Sequence, residues 1–139
     1  MSVQYNKEHP LPTPPMIWEN MGFWEGTKEH KLVFQRCREC GTWVHPPRPA
    51  CSKCRSFEKE WAPSNGKGTV YSWVTYLESP DPAFEAPYSV VLVEMDEGVR
   101  LISNMVDTRP EEISIGMPVE VVFDNIADDL TLPKFRKVG

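Results

Sequence analysis

Four cysteines carry the strongest chemical signal in this sequence. They form two pairs, Cys37 with Cys40 and Cys51 with Cys54, and these pairs use every cysteine of the 139-residue chain. A Cys-x-x-Cys pair can fold into a tight knuckle, and two facing knuckles supply the four thiolates of a tetrahedral metal site. The spacing therefore predicts a metal centre, for which we favour one Zn²⁺ ion.

Other uses of the cysteines are less well supported by their arrangement. A disulfide needs an oxidising compartment, and the N-terminus lacks the basic-then-apolar pattern of a secretion signal. A redox site uses one Cys-x-x-Cys pair at a strand-to-helix turn, not two facing pairs. An iron site of the rubredoxin type would use the same four thiolates, so the sequence leaves zinc and iron open. Catalytic zinc keeps an open position for water, whereas four thiolates close the coordination shell, so we expect this metal to hold structure and to do no chemistry.

Candidate catalytic groups are scarce once the thiols are committed to a metal. The three histidines, His9, His30 and His45, are scattered, and we interpret His45 as a surface residue, not a ligand. The acidic pairs at 111–112 and 128–129 fall in predicted turns, and no glycine-rich nucleotide loop is present. We therefore expect a non-catalytic module.

The elements that must position the cysteines begin with an arm and a helix. Prolines at 10, 12, 14 and 15 predict an extended arm, and residues 17–30 read as a short helix with an aromatic stripe that includes Trp18, Phe23 and Trp24. Such a helix must bury its stripe, either on this chain or on a partner. A strand at 31–35 leads into Cys37, the segment 57–61 closes the module that holds the cysteines, and 63–68 is a turn-rich linker.

Five strands are predicted after the linker. They lie at 69–77, 88–95, 99–106, 118–123 and 130–135, with at most a helical turn at 109–116. Antiparallel strands with this break between the third and fourth fit an OB-type barrel. The predicted fold is mainly β: an N-terminal arm and helix (1–30), a rubredoxin-like zinc ribbon (31–65) and a five-stranded OB-fold barrel (66–139).

Charge is distributed unevenly along the chain. The net charge of −5 combines −2 in residues 1–27, +5 in 28–67 and −8 in 68–139. Tyr71, Trp73 and Tyr76 could stack on bases of a single-stranded nucleic acid, but the acidic barrel would repel phosphates, which makes that function the alternative. No apolar run is long enough to span a membrane, and we expect a cytoplasmic protein.

The order of short motifs along the chain resembles the acyl-CoA-associated OB-fold family that carries an N-terminal rubredoxin-like zinc ribbon. The resemblance covers about residues 16–137. The motifs outside the cysteine pairs are Phe23-Trp24, Gln35, Pro46-Pro47-Arg48, Trp61, Gly68 to Ser72, Pro87-Tyr88, Glu97-Gly98-x-Arg100 and Gly116-x-x-Val119.

This resemblance implies a small subunit that supports a catalytic partner, a thiolase-like protein of the lipid-transfer or sterol-carrier type. The pair would share an acyl-CoA thioester as ligand. Our first choice is thiolase-type cleavage of a bulky 3-oxoacyl-CoA, with the small subunit of benzoylsuccinyl-CoA thiolase as one candidate. Retro-aldol cleavage of an acyl-CoA side chain is the second choice.

Residues for CoA or partner contacts are predicted in two groups. The basic region around the cysteines supplies cations for phosphates, and proline neighbours stiffen the backbone at Arg48. A proline-bounded loop and the aromatic helix supply apolar contacts. The candidates are Arg36, Arg38, Arg48, Lys53, Phe84, Trp18, Phe23 and Trp24.

Overall fold

Short β-strands make up most of the chain. The computed structural model describes residues 13–14 and 17–138, and the backbone of 4–5, so most of the predicted proline arm lies outside the described residues. The elements are β1 (Gln4–Tyr5), α1 (Met21–Lys28), β2 (Val33–Cys37), β3 (Trp43–Val44), β4 (Lys59–Pro63), β5 (Lys67–Tyr76), β6 (Phe84–Glu85), β7 (Tyr88–Met95), β8 (Arg100–Asn104), a 3₁₀ turn (Pro110–Glu112), β9 (Pro118–Ala127) and β10 (Leu130–Lys137).

The ribbon is a three-stranded antiparallel sheet in the order β3-β2-β4. Its central strand places Gln35 opposite both Val44 and Trp61. The strand ends at Cys37, so the first cysteine lies at one end of the sheet. Phe34 points into the core with no exposed surface, and its neighbour Gln35 is also buried. The strand is thus covered on both faces, which fixes the position of the cysteine that follows it.

The second sheet closes into the predicted barrel. Its order is β10-β9-β5-β7-β8, and a parallel bridge between Met105 and Phe135 joins the two outer strands. The Val106 amide donates to the Phe135 carbonyl at 2.8 Å across this seam. Inward side chains of alternate positions fill the interior, which is the pattern of a small closed barrel. They include Val70, Val91, Val93, Val119 and Phe135.

Helix α1 is shorter than predicted. It begins at Met21 instead of Ile17, because the Asn20 side chain accepts the Ile17 amide at 3.1 Å and holds the preceding residues in a turn. It ends near Lys28, where His30 adopts a left-handed φ of 58°. The Lys31 amide donates back to the Gly26 carbonyl at 2.9 Å and closes the helix end.

The two helix glycines mark where α1 approaches the ribbon most closely. A Cβ on Gly22 would lie 2.3 Å from the Trp61 ring, and a Cβ on Gly26 would lie 2.8 Å from the Val33 side chain. Glycine has a lower helix propensity than most residues, so two glycines in so short a helix need a packing reason. The structure gives their use, because they let an eight-residue helix pack against β2 and β4.

Gly22→Ala is expected to destabilise the protein despite alanine's better helix propensity. The propensity gain is about 1 kcal/mol, whereas displacing the Trp61 ring costs about 1–3 kcal/mol. Urea unfolding followed by far-UV circular dichroism measures the difference. Glu25→Ala, at an exposed position of the same helix, is the control. A Gly22→Ala protein as stable as the wild type would contradict the close approach.

Among the described residues, no helix is long and apolar enough to cross a bilayer.

Candidate functional site

The four cysteines converge at one end of the ribbon. Their Sγ atoms all lie within 4.8 Å of one another, and the pairs Cys37–Cys54 and Cys40–Cys51 are each separated by 3.5 Å. Tetrahedral Zn²⁺ with Zn–S bonds of about 2.3 Å needs sulfurs about 3.8 Å apart. The arrangement fits a four-thiolate metal site, as the spacing predicts.

Both knuckles have the same local geometry. In the first, the Gly41 amide donates to the Cys37 carbonyl at 3.0 Å, and in the second the Arg55 amide donates to the Cys51 carbonyl at 3.0 Å. The residue after each pair has a left-handed φ, 75° at Gly41 and 64° at Arg55. The Lys53 amide also donates to Cys51 Sγ at 3.4 Å. The bond that the Cys54 amide donates to the same sulfur, at 3.5 Å, and this one lower the pKa of the Cys51 thiol and so stabilise its thiolate.

Thr42 adds a hydrogen bond at the exposed edge of the cluster. Its hydroxyl lies 3.0 Å from Cys40 Sγ. The side-chain and backbone hydrogen bonds of Thr42 lower the pKa of the Cys40 thiol to about 6. Since metal ligands must be deprotonated, the lower pKa favours Cys40 itself as a ligand at neutral pH. Four sulfur ligands leave no position for substrate, so the chemistry available to the centre is structural.

The predicted cations lie on the ribbon surface. The contacts found among the described residues do not bring their side chains together at one site. Arg36 lies over the Trp43 ring at 5.4 Å, and Arg38 and Lys53 are exposed. The Arg48 amide donates to Gln35 Oε1 at 2.8 Å, and Lys59 Nζ donates to the Arg48 carbonyl at 2.5 Å. Arg48 therefore has a fixed backbone and an exposed side chain.

Lys59 and Gln35 hold the loop around Arg48 through these hydrogen bonds. The sequence analysis did not predict this role for either residue. Lys59 Nζ also donates to the Pro49 carbonyl. A lysine that serves two backbone carbonyls gives no signal in a sequence pattern. Its partners become visible only once β4 is placed beside β2.

The aromatic helix divides between core and surface. Phe23 is only 4% exposed and packs against Phe34, with ring centroids 6.4 Å apart. It therefore offers no surface to a partner, and its place among the predicted contact residues is corrected to the chain's own core. Trp24 is half-buried beside it, at 5.0 Å, whereas Trp18 is 70% exposed.

Phe84 lies in a short strand, which differs from the loop tip implied by its flanking prolines. Strand β6 pairs with β1, which places Phe84 opposite Tyr5. The half-buried Phe84 ring lies 5.9 Å from Tyr88, which in turn stacks on Tyr76 at 5.1 Å. The ring is thus part of an aromatic row along the barrel.

An apolar outer face of the barrel was missed by sequence reasoning. Val74 and Ile102 are 53% and 69% exposed, and they flank the half-buried Val90 and Leu92. Strand pairing places Val74 beside Val90 and Leu92 beside Ile102. The available signal was that these strands carry apolar residues at successive positions, where a half-exposed strand would alternate.

His45 is not the surface residue that we predicted. Its ring packs 5.4 Å from Phe23 and 5.1 Å from Phe34, and burial lowers the pKa of His45 to about 4. Nδ1 is buried, and it is the one such side-chain atom in the described part of the chain without a hydrogen-bond partner. The ring thus occupies the place of an aromatic core side chain beside Phe23 and Phe34.

Stability is expected to fall between pH 6.5 and pH 4 because of His45. Its folded-state pKa of about 4 lies below the ordinary value of 6.5, so the unfolded chain binds the proton more readily as pH falls. The contribution is fully present above pH 6.5, and about 2 kcal/mol of it is lost by pH 5. Urea unfolding at pH 7.5 and 5.0 tests this against His45→Phe, which keeps the ring packing. Equal losses in both proteins would contradict it.

Comparison with known proteins places these features in a family. Residues 24–60 match the model described as "ChsH2, rubredoxin-like zinc ribbon domain", and residues 61–124 match "ChsH2, C-terminal OB-fold domain". A solved structure titled "Ltp2-ChsH2(DUF35) aldolase" is 43% identical with a TM-score of 0.85, over 90% of this chain and 98% of that one. A DUF35-family protein of Sulfolobus solfataricus, 16% identical with a TM-score of 0.63 over 87% of this chain and 86% of that one, shares the fold.

Curated relatives agree with this match. A "DUF35 domain-containing scaffold protein" of Methanocaldococcus jannaschii is 40% identical over 76% of this chain and 77% of its own length. A "probable enoyl-CoA hydratase alpha subunit" of Thermomonospora curvata is 44% identical over 90% of this chain, which spans only 39% of that protein. The four-cysteine ribbon, the closed five-stranded barrel and these similarities show that the chain belongs to the DUF35 family of ChsH2-type zinc-ribbon and OB-fold proteins.

Proposed function

We propose that this chain is a non-catalytic scaffold subunit of a heteromeric enzyme that acts on acyl-CoA thioesters. The observation that carries the proposal is the similarity to the ChsH2 chain of an Ltp2-ChsH2 aldolase, which extends over 98% of that chain. The reactive groups would come from the larger partner, for which we propose a thiolase-like protein of the lipid-transfer type. One structural Zn²⁺ held by the four cysteines would maintain the ribbon.

The chemistry of the described side chains is consistent with a scaffold role for this chain. All four thiols lie in one cluster, so none stands apart as a nucleophile. His30 Nε2 lies 3.1 Å from Asn125 Oδ1 and its ring stacks on Phe123, while His45 lies between aromatic rings. Neither histidine in the described residues pairs with a serine or cysteine, as a nucleophile and its base would.

The similarity to the Ltp2-ChsH2 aldolase favours retro-aldol cleavage over the thiolase reaction that was our first choice. An aldolase releases a carbonyl compound by breaking a carbon–carbon bond without CoA as co-substrate, whereas a thiolase consumes CoA. We therefore propose a retro-aldol partner first and a thiolase second. The chain spans only 39% and 34% of the two hydratase alpha subunits it matches, and we propose no hydration by it.

Candidate contacts with the partner lie on two surfaces. Exposed Trp18 and half-buried Trp24 border the ribbon, while the apolar outer face of the barrel lies on β5, β7 and β8. Exposed apolar surface of this kind commonly marks a protein interface. The cations Arg36, Arg38, Arg48 and Lys53 remain candidates for CoA phosphates or the interface, and Phe84 remains a candidate at the barrel end.

Co-expression with a thiolase-like protein of the lipid-transfer type tests the proposal. We expect a stable complex, and carbon–carbon cleavage of an acyl-CoA only when both proteins are present. Reactions with and without added CoA distinguish thiolysis from retro-aldol cleavage. Acyl-CoA turnover by this chain alone, after rigorous removal of the partner, would overturn the scaffold role.

Nucleic-acid binding is the other candidate function. Residues 68–139 carry a net charge of −8, which opposes the phosphate backbone. Labelled single-stranded DNA and RNA are therefore expected to bind weakly even at low salt. Micromolar binding that weakens as salt is added would favour this alternative over the scaffold role.

A further inference from the structure

The apolar outer face of the barrel continues to the end where β5 stops and β7 begins. Strand pairing sets Tyr76 opposite Tyr88, and their rings stack with centroids 5.1 Å apart. Leu77, the next residue of the chain, is 80% exposed. Two residues of a strand span about 7 Å, so the face runs about 13 Å along the strands from this tyrosine pair, past Val74, to Ile102. A continuous apolar surface of this kind marks contact with another molecule, whereas single exposed apolar residues do not.

Acidic groups without a countercharge border this end of the face. The stretch 68–99, which forms most of β5 and all of β6 and β7, contains no lysine or arginine. Glu78 follows Leu77 directly, and Asp81 and Glu85 lie between β5 and β7. None of these three acids belongs to an ion pair in the described part of the chain. Asp81 Oδ1 accepts the Ala83 amide at 2.8 Å, which fixes the position of that carboxylate.

The acid at the other end of the face already has a countercharge. Glu94 Oε2 lies 3.3 Å from Arg100 Nε, and the Arg100 guanidinium lies over the Tyr71 ring, 3.8 Å from its centroid. The face is therefore apolar along its length, neutral at one end and negative at the other. A surface with this pattern is complementary to one that presents apolar side chains beside lysine or arginine.

We propose that the apolar outer face of the barrel docks on the larger subunit of the enzyme, at a surface whose apolar centre is bordered by lysine or arginine next to Glu78 and Glu85. The identity of the partner rests on the proposed function, whereas the chemistry of the contact rests on the face itself. Docking would bury Val74, Leu77 and Ile102, and the partner's basic side chains would supply the countercharges that the stretch 68–99 does not contain. Complementary charge also speeds the encounter of two proteins.

The same charges argue against other occupants of the face. In a symmetric dimer of this chain, the negative end of each copy would meet either the same end or the Arg100–Glu94 end of the other copy. Neither end supplies a cation that is not already paired. Single-stranded nucleic acid would bring phosphates to an end of the face that is already negative. A protein surface with basic side chains meets neither cost, and we therefore assign the face to the partner subunit.

Binding of the full-length chain to the thiolase-like subunit of the lipid-transfer type, measured by surface plasmon resonance, tests the proposal. Val74→Glu places a charge at the centre of the contact and should raise the Kd by about tenfold or more. Ile115→Glu is the control and should bind as the wild type does, because Ile115 is 66% exposed but lies outside β5, β7 and β8. Thermal melts show whether each variant is folded.

A second pair of variants changes charge at exposed positions, where the risk to folding is small. Glu78→Lys combined with Glu85→Lys should lower the association rate constant by about tenfold at low salt and remove most of its salt dependence. Asp128→Lys combined with Asp129→Lys is the matched control. It changes the net charge equally, at two exposed acids in the turn between β9 and β10, and should have a much smaller effect.

The possible outcomes separate the docking face from the scaffold role. An active complex that tolerates Val74→Glu, or that responds equally to the two double variants, would overturn the docking face and leave the scaffold role in place. Failure of the wild-type chain to bind the thiolase-like subunit would overturn both. A dimer of this chain alone that Val74→Glu dissociates would assign the face to a second copy instead, and would overturn the proposal as well.

Discussion

Loss of the metal is expected to unfold residues 31–61 and to release helix α1 from the ribbon, while the barrel remains folded. The four Sγ atoms tie together two turns that are otherwise joined by a few backbone hydrogen bonds. A structural zinc site contributes on the order of 10 kcal/mol of folding free energy, comparable with the whole stability of a domain. Val70, Val91 and Phe135 are buried in the barrel, and none of the four cysteines lies on a barrel strand.

Metal analysis, chelation and one substitution test this expectation together. Elemental analysis should find about one zinc per chain, and would also detect iron. Chelation, or Cys51→Ser, should remove amide-exchange protection from β2 and β4 but retain it in β7 and β9. Ser52→Ala, at an exposed position in the same knuckle, is the control. Less than half an equivalent of metal in a protein with a well-ordered ribbon would contradict a structural metal.

Features set by local sequence were predicted well. Two Cys-x-x-Cys pairs give a knuckle geometry that depends on neighbouring residues, and the four cysteines do converge. Strand β7 was predicted with its observed bounds, because the hairpin turn at 96–98 and the proline at 87 limit it. The 3₁₀ turn at Pro110–Glu112 likewise fits the break predicted between the third and fourth barrel strands.

Features set by distant contacts were predicted poorly. The environment of His45 depends on Phe23 and Phe34 meeting across the ribbon, which no local pattern encodes. The packing of α1 against β10, the last strand of the chain, depends on a contact of the same kind. The same reason explains why the residues proposed to contact CoA or a partner remain predictions, since their function depends on a second molecule.

Asp124→Ala is expected to lower the free energy of unfolding by about 3 kcal/mol, the low end for breaking a buried ion pair, since Asp124 is partly exposed. Lys134 is only 1% exposed. One face of β10 lines the barrel interior, and α1 packs against the strand. Its Nζ lies 2.5 Å from Asp124 Oδ2. Removing the carboxylate takes away a countercharge that water cannot replace at the buried end.

Arg136 and Glu120 provide the matched control on the same two strands. Their side chains lie 3.0 Å apart, but both are about one-third to one-half exposed. Water and salt screen such a pair, so Glu120→Ala should cost no more than about 1 kcal/mol. Urea unfolding of both variants compares a buried and an exposed ion pair in one barrel. Equal losses would show that burial of Lys134 adds nothing to the strength of its pair.

Lys134→Met separates two contributions to stability. One is the free energy that the ion pair itself adds, and the other is the penalty for removing Asp124 while the buried lysine charge remains. Methionine fills nearly the same space without a charge, and Asp124 can turn toward water, since 30% of its side chain is exposed. Replacing a buried charge by an apolar group of similar volume is often neutral or stabilising. We therefore expect Lys134→Met to be within about 1 kcal/mol of the wild type and to be little affected by adding Asp124→Ala. If Lys134→Met lowered the free energy of unfolding as much as Asp124→Ala does, the charge of Lys134 would be the source of the stability. The packing of the lysine side chain would then not be.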